Sequence, residues 1–296
     1  MNRGIPQLHG GHGTHFGALS VFPVWLQAPR VAGLEWKADS IRVDEREGSP
    51  VVGELVLHNT TPRPVVALEG DLLKGGWQDR MLASSMVLEP FEGRVVEALC
   101  VEHGRWSGGG SHASSGRRSA PSVRHGNVSV REGQHPQHEV WRRIGRFENS
   151  LGATASSSML DHLDRAEPIK LDRLDGQRGV VIGIGGRVIG AELFGSATGL
   201  RARWQGILDA AALDARLAPP TRTPASRARE FAIRLMAMPL EDGGEAGLAR
   251  ELRSHQGSLR ASGIAVTKDD LFPCADLFRI IHLTVFDDSH PLLENA

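Results

Sequence analysis

The densest group of reactive side chains is the segment Cys100 to Trp106, which follows a run of apolar residues typical of a strand. With the two-residue period of a strand, Cys100 and Glu102 share one face and His103 lies on the other. A neighbouring carboxylate raises the pKa of a thiol, so we expect Cys100 to be buried and inert. Glu102, close to Arg105, is either a salt-bridge partner or a ligand-binding group.

A second group runs from Glu69 to Arg80 and places Lys74, Gln78 and Arg80 around the pair Gly75-Gly76. Backbone N–H groups at a glycine turn, together with an ammonium and a guanidinium group, can hold a phosphate or a carboxylate. The spacing differs from a Walker A loop, because Lys74 precedes the glycines and no Ser or Thr follows them. The alternative is a hairpin whose charges are simply solvated.

A third group, from Gln134 to Trp141, begins the next predicted helix at Pro136. Free N–H groups in the first helical turn favour an anion. Glu139 therefore either complements the helix dipole or contributes to a site, together with Trp141.

Histidines and cysteines give little support for a metal centre. His9, His12 and His15 are spaced by threes in a glycine-rich segment without a rigid scaffold, and we predict no metal there. Cys100 and Cys274 are far apart, which excludes a disulfide framework or a four-cysteine zinc site. A reducing compartment is the expectation, so we predict a cytoplasmic protein. The cofactor is left unknown.

The elements that would position these groups fall into successive segments. Residues 1–15 are predicted as a mobile N-terminus and residues 16–106 as a β-rich half whose short, closely spaced strands are typical of a sandwich or barrel. Residues 107–137, rich in Gly, Ser, Arg and His, are predicted as a basic loop. Residues 138–296 are predicted as an α+β half.

Periodicity within the last segment indicates both helices and strands. Val140, Ile144, Phe147 and Leu151 form one apolar stripe of a helix that begins at Pro136. Further helices are predicted at Met159 to Leu163, from Ser196 onwards, at Ser226 to Met236 and at Glu245 to Arg253. Final strands are predicted at Ser258 to Thr267 and Leu277 to Phe286.

The segment Gly183 to Gly190 superficially matches a dinucleotide-binding fingerprint. The third glycine of that motif would fall at Val188, and a strand rather than a helix follows, so we reject a Rossmann fold. Gly185-Gly186 is predicted instead as a two-residue hairpin turn. The predicted fold class is α+β: an N-terminal antiparallel β-sandwich-like half, then an α+β half with a small antiparallel sheet and amphipathic helices.

Composition narrows the function classes. The chain has 296 residues, a formal net charge of -1 and 40% hydrophobic residues, which excludes wholesale disorder and a coiled coil. Near-zero net charge makes nucleic acid an unexpected partner, and the absence of a long apolar run makes a membrane span unexpected. Only four of the 34 basic residues are lysines, so arginine abundance is weak evidence of anion binding.

In their order along the chain these blocks resemble a known family. The segments NTTPRPVVALEGDLLKGGWQDR, CVEHGRW, QHPQHEVW and GVVIGIGGRVIGAELF are similar to the ARPP domain, the ADP-ribosylglycohydrolase and rhodanese-phosphatase-superfamily-associated protein domain. The resemblance spans residues 16–286 and implies association with ADP-ribose-processing and phosphatase-like proteins. Trp77 and Asp79 depart from the family pattern, and the matching residues are Gln78, Arg80, Glu102, Arg105, Trp106 and Trp141.

Together these features predict a site for a phosphate-bearing ligand of nucleotide or ADP-ribose type, as in NAD metabolism. Guanidinium groups suit phosphates, indole suits a base, and a carboxylate suits ribose hydroxyls or acts as a general base. Hydrolysis would use Glu102 or Glu69 as the base. The predicted ligand-binding residues are Lys74, Gln78, Arg80, Arg105, Trp106, Arg117, Arg118, Glu139 and Trp141. The alternative is a non-catalytic scaffold or protein-interaction module; the oligomeric state is left open.

Overall fold

Short apolar runs bounded by glycine and proline form strands along much of the chain in the computed structural model, which describes residues 4–46, 53–105, 107–130, 135–266 and 279–294. The predicted α+β class is confirmed, and every strand pair within the sheets is antiparallel.

The strands are β1 (Gln7–Gly10), β2 (Thr14–Phe16), β3 (Leu19–Gln27), β4 (Ile41–Glu45), β5 (Glu54–Asn59), β6 (Val65–Ala67), β7 (Asp71–Gly75), β8 (Arg80–Leu82), β9 (Met86–Leu88), β10 (Gly93–Cys100), β11 (Ser111–Arg118), β12 (Gly179–Ile184), β13 (Arg187–Phe194), β14 (Glu241–Ala246), β15 (Ala249–Gln256), β16 (Leu259–Val266) and β17 (Arg279–Asp287). The helices are α1 (Pro121–Val128), α2 (Pro136–Leu151), α3 (Met159–Asp164), α4 (Ala197–Ala215) and α5 (Ala225–Met236), with a 3-10 helix at Ala38–Ser40.

Internal contacts divide the chain into two compact units. The first, which we call the sheet unit, consists of Met1–Ala32, Lys170–Trp204 and Asp214–Ala296. The second, the barrel unit, consists of Gly33–Ile169 and Gln205–Leu213. The boundaries of independently folding domains stay a prediction.

The sheet unit contains a nine-stranded sheet in the order β1-β3-β12-β13-β17-β16-β15-β14, with β2 beside β3. It is larger than the small sheet predicted, because β1, β2 and β3 join the C-terminal strands. Gly185 and Gly186, with φ of 59° and 90°, form the predicted turn between β12 and β13. Helix α5 packs on this sheet through Phe231 and Leu235.

The barrel unit closes six strands into a barrel in the order β10-β5-β4-β11-β7-β8. Five of these strands come from the predicted β-rich half, which therefore contributes to a closed barrel rather than to the predicted sandwich-like arrangement, while β3 of the same half joins the other sheet. Because side chains alternate along each strand, every second residue points inward. Val43, Leu55 and Leu57 occupy such positions and are fully buried. Strands β6 and β9 pair in a separate two-stranded sheet, and along the chain each of them falls between two barrel strands.

Several predicted elements are confirmed. Helix α2 begins at Pro136 and buries Val140, Ile144 and Phe147, as its stripe predicts. Ser196 caps α4, since its Oγ accepts a hydrogen bond from the N–H of Gly199 at 3.0 Å.

Other predicted elements are wrong. Residues 245–253, predicted as a helix, lie in β14 and β15, where a turn at Gly247 (φ 65°) and pairing with β16 override helix propensity. Residues 111–128, inside the predicted basic loop, form β11 and α1. Segment β11 has almost no large apolar residue, but its backbone hydrogen bonds to a neighbouring barrel strand hold it as a strand. Residues 7–10 lie within the predicted mobile N-terminus and residues 14–16 span its end, yet both segments are strands paired with β3.

No helix in the described part of the chain is long and apolar enough to cross a membrane.

Candidate functional site

Four reactive side chains face the interior at one end of the barrel. Cys100 and Arg80 are directly opposite each other on β10 and β8, so their side chains share a face. His112 is opposite both Val43 and Gly75, and Glu45 is two residues beyond Val43 on β4. The side chain of Val43 points into the barrel. His112, which is opposite Val43, and Glu45, which is two residues further along the same strand, therefore point inward as well.

Arg80 is a buried cation without a direct acidic partner. It is 2% exposed, and its Nη1 donates a hydrogen bond to Oε1 of Gln78 at 3.1 Å. Its Nε has no hydrogen-bond acceptor among the described residues, and none of their carboxylates lies within ion-pair distance of it. The N–H donors of a buried guanidinium group are normally all hydrogen-bonded. The Nε–H of Arg80 can therefore still donate to one additional acceptor.

His112 pairs with Glu45 in the same interior. Its Nε2 lies 3.1 Å from Oε1 of Glu45, which also accepts a hydrogen bond from the N–H of Trp77 at 3.3 Å. Burial lowers the pKa of His112 more than Glu45 raises it, which favours the neutral ring. Nε2 then donates to Glu45, and Nδ1 is an acceptor without a donor among the described residues.

Burial raises the pKa of the Cys100 thiol, although Arg80 opposes the shift. The predicted buried cysteine is confirmed, but its neighbour across the strand pair is an arginine rather than a carboxylate. Cys274 lies outside the described residues.

Arg105 joins the glycine turn to Glu102. Its Nε and Nη2 donate to the carboxylate of Glu102 at 2.9 Å and 2.7 Å, and its Nη1 donates to the backbone carbonyl oxygen of Gly76 at 2.8 Å. The N–H of Asp79 also donates to Glu102 at 2.8 Å. Burial alone would raise the pKa of Glu102, but hydrogen bonds from Arg105, Ser156 and Asp79 hold it below its ordinary value.

Asp79 completes this network. Its Oδ1 accepts a hydrogen bond from the N–H of Gly75 at 2.9 Å, and its Oδ2 accepts one from the hydroxyl of Ser158 at 2.9 Å. The carboxylates of Glu45, Asp79 and Glu102 accept hydrogen bonds from groups other than Arg80. Asp79 thus supplies an anion that orders the turn.

Glu69 and Arg118 belong to a different cluster. Glu69 accepts hydrogen bonds from Nε and Nη2 of Arg124 at 2.9 Å and 2.8 Å, and Arg118 donates to Asp71 at 2.8 Å. Asp71 begins β7 and Gly75 ends it, so about 13 Å of extended chain separates this cluster from the glycine turn. The structure therefore does not bring Glu69 and Arg118 together with Arg105.

Helix α2 contributes residues on two faces. Glu139 accepts hydrogen bonds from Arg142 and Arg143, and Arg143 also donates to the carbonyl oxygen of Ser122 in α1. Burial would raise the pKa of Glu139, but these two arginines lower it to about 2. Trp141, on another face, lies edge-on to His103, with ring centroids 4.8 Å apart.

Gln137 docks the start of α2 at the end of β10. Its Oε1 accepts a hydrogen bond from the N–H of Cys100, and its Nε2 donates to the carbonyl oxygen of Cys100, both at 2.8 Å. This contact and the Trp141–His103 contact place the start of α2, which belongs to the third group of the sequence, at the barrel end that carries Glu102 and Arg105.

Lys74 is exposed and Arg117 is half-buried, and both approach Asp164, at 3.5 Å and 3.0 Å. Trp106 lies outside the described residues. The predicted basic loop is therefore not an open patch of positive charge, because Arg117, Arg118 and Arg124 are each paired with an acid of this chain.

Sequence reasoning missed Glu45, His112 and the role of Gln137. His112 and Glu45 are 67 residues apart, and only the barrel register unites them. A signal was available for Gln137, because a polar side chain in the first turn of a helix is placed to contact backbone groups of a neighbouring element. The described residues contain no group of three or more His, Cys, Asp or Glu that could hold a metal ion.

Comparisons with known proteins agree with the resemblance in the sequence. The family described as the ARG and Rhodanese-Phosphatase-superfamily-associated Protein domain matches residues 7–286. Comparison with curated proteins and with solved structures gives no match. Because the match covers nearly the whole chain, this protein belongs to the ARG and Rhodanese-Phosphatase-superfamily-associated Protein domain family.

Proposed function

We propose that the barrel unit binds a phosphate-bearing ligand of nucleotide or ADP-ribose type at the barrel end that contains Arg80, Gln78 and Arg105. The observation that carries this proposal is the buried guanidinium group of Arg80, whose Nε–H has no acceptor among the described residues. A phosphate oxygen is the acceptor that suits an arginine best. The family's name associates it with ADP-ribosylglycohydrolases and rhodanese-phosphatases, which supports this ligand class.

Access to the barrel interior requires a local opening. The turn at Gly75 and Gly76 lies directly against the ring of His112, so close that a Cβ on Gly76 would be 2.0 Å from Nε2. Its backbone carbonyl oxygens are held by Arg105 rather than by a strand partner. Displacement of this turn is the entry route that we propose.

The geometry favours binding over hydrolysis. Glu102, the predicted base at this end, is held as an anion by Arg105, and its lowered pKa makes it a weak proton acceptor. Glu69 has a free Oε1 but lies in the other cluster. We therefore assign Glu102 to positioning Arg105 and the turn.

The proposal is tested by calorimetric titration of the full chain with ADP-ribose, NAD and ATP. We expect at least one of them to bind, and Arg80→Met to weaken that binding by about tenfold or more, the usual loss for a hydrogen bond to a charged group. Arg42→Gln, an exposed barrel arginine paired with Asp44, is the matched control and should leave binding unchanged. Absence of heat with all three ligands, or equal affinity in Arg80→Met, refutes the proposal.

A second candidate function, a protein-interaction module, is favoured by two exposed apolar side chains at the start of β10. Phe91 is 69% exposed and Val95 is 52% exposed. If this surface docks a partner copy, sedimentation velocity will show self-association that the double variant Phe91→Ser, Val95→Ser abolishes. A monomer at all concentrations removes self-docking through this surface.

A further inference from the structure

A cavity of about 290 Å³ lies in the sheet unit, between the edge strand β1 and helix α5. Strands β3 and β12 supply its floor with Phe22, Val24 and Val181, and β1 contributes Leu8; all four are buried members of the core. Its volume is close to the lower end of the range of small-molecule sites, about 300 Å³, and a mostly apolar lining is typical of such sites.

The side chains of α5 explain why the cavity is open. Ala225, Ala228 and Ala232 face it, at positions i, i+3 and i+7 of one helix face. Their methyl groups are too short to fill the space above the strands, whereas Phe231 and Leu235 of the same helix are packed into the core. Met236 and the largely exposed Ile233 complete the apolar wall.

Two polar side chains stand at the rim of this cavity, Arg229 and His9, and both are exposed. Arg229 makes no hydrogen bond or ion pair with any residue of the described ranges, unlike Arg234 of the same helix, which is paired with Asp287. No carboxylate lines the cavity. An apolar chamber with one uncompensated cation at its mouth is complementary to an apolar body that ends in an anion.

We propose that this cavity binds an aliphatic carboxylate of medium chain length, with the hydrocarbon chain on Phe22, Val24 and Met236 and the carboxylate at Arg229. The site belongs to the sheet unit alone and is independent of the phosphate site proposed for the barrel unit. Apolar surface of the chain would supply most of the binding free energy, and Arg229 would select the charged end group.

Calorimetric titration of the full chain with decanoate and with decanol tests the proposal. We expect decanoate to bind the wild type and Arg229→Gln to weaken it about two- to fivefold, as for an exposed ion pair, while decanol binding stays the same. Arg227→Gln, an exposed arginine of α5 outside this cavity, is the matched control and should change neither. Ala232→Phe, which fills the cavity, should abolish binding of both ligands.

Three outcomes would overturn the proposal. The first is no decanoate binding below its critical micelle concentration. The second is unchanged binding in Ala232→Phe, with circular dichroism confirming that this variant is folded. The third is a dimer, detected by light scattering, that Ala232→Phe dissociates, since a second copy would then be the occupant. Failure of the nucleotide titration does not affect these results, because the two sites share no residue.

Discussion

The side-chain amide of Gln137 forms two hydrogen bonds with the backbone of Cys100, one to its N–H and one to its carbonyl oxygen. A single side chain thus takes the place of a neighbouring strand at the end of β10. The contact fixes the first turn of α2 to the barrel, although 37 residues separate the two partners.

Gln137→Ala should destabilise the barrel unit by about 2 kcal/mol, since it leaves two backbone groups of Cys100 without partners. Denaturant unfolding measures the loss, and amide hydrogen exchange at Cys100 should accelerate. His138→Ala, at an exposed position of the same turn, is the control and should change stability by less than about 0.5 kcal/mol. Unchanged exchange at Cys100 would contradict this role.

Arg105→Gln should lower the free energy of unfolding, measured by denaturant titration, by about 3 kcal/mol, because the buried carboxylate of Glu102 loses its counter-ion. The turn at Gly75 and Gly76 also loses its anchor. Arg117→Gln removes the ion pair of a half-buried arginine with the exposed Asp164 and should lower the free energy of unfolding by less than about 1 kcal/mol. Equal losses in the two variants would show that Arg105 has no special place in the network.

Glu139 makes stability depend on pH. Its pKa is lowered from 4.5 to about 2 by Arg142 and Arg143, so its contribution is complete above pH 4.5 and is lost as the pH falls from 4.5 towards 2. Urea unfolding across this range should show Glu139→Gln less stable than wild type at pH 7 by about 2 kcal/mol, with the difference closing near pH 2. A difference independent of pH would refute the assignment.

Gly76→Ala should destabilise more than Gly116→Ala, although both glycines have positive φ, 54° and 68°. A Cβ on Gly116 meets nothing within 4 Å, so that variant pays only the backbone strain, about 1 kcal/mol. A Cβ on Gly76 also collides with the ring of His112, which adds about 1–3 kcal/mol. Thermal unfolding of both variants measures the difference, and equal melting temperatures would show that His112 moves aside freely.

Arg80→Met and Arg118→Met compare two buried arginines, one without an acidic partner and one paired with Asp71. We expect Arg118→Met to lower the free energy of unfolding by about 3–5 kcal/mol, because it removes the buried arginine that donates to Asp71 at 2.8 Å. Arg80→Met should change stability by less than about 1.5 kcal/mol, since the lost hydrogen bond to Gln78 is offset by relief of a buried charge. A loss as large as that of Arg118→Met would mean that Arg80 is structural.

Local patterns in the sequence predicted the elements whose signals are local. The apolar stripe from Val140, the cap at Ser196 and the turn at Gly185-Gly186 each depend on neighbours within one element. Local patterns give the wrong element where pairing between distant segments determines the secondary structure. Residues 245–253, predicted as a helix, lie in strands because β15 pairs with β16. Of the candidate site, Glu102 and Arg105 are three residues apart and were predictable as a pair, whereas Glu45 and His112 meet only through the barrel register.

The order of strands in the nine-stranded sheet has a consequence for synthesis on the ribosome. Strand β3 is complete at Gln27, but its partner β12 begins only at Gly179. At about 5–20 residues per second, roughly 8–30 seconds pass before that partner is translated. During this interval β3 can pair with β1 and β2, which are already synthesised, but its other edge, where Val21, Phe22 and Val24 pair with β12 in the folded protein, has no partner. An unpaired strand edge of this kind favours association with other chains, so we expect the nascent N-terminal half to aggregate more readily than the complete protein.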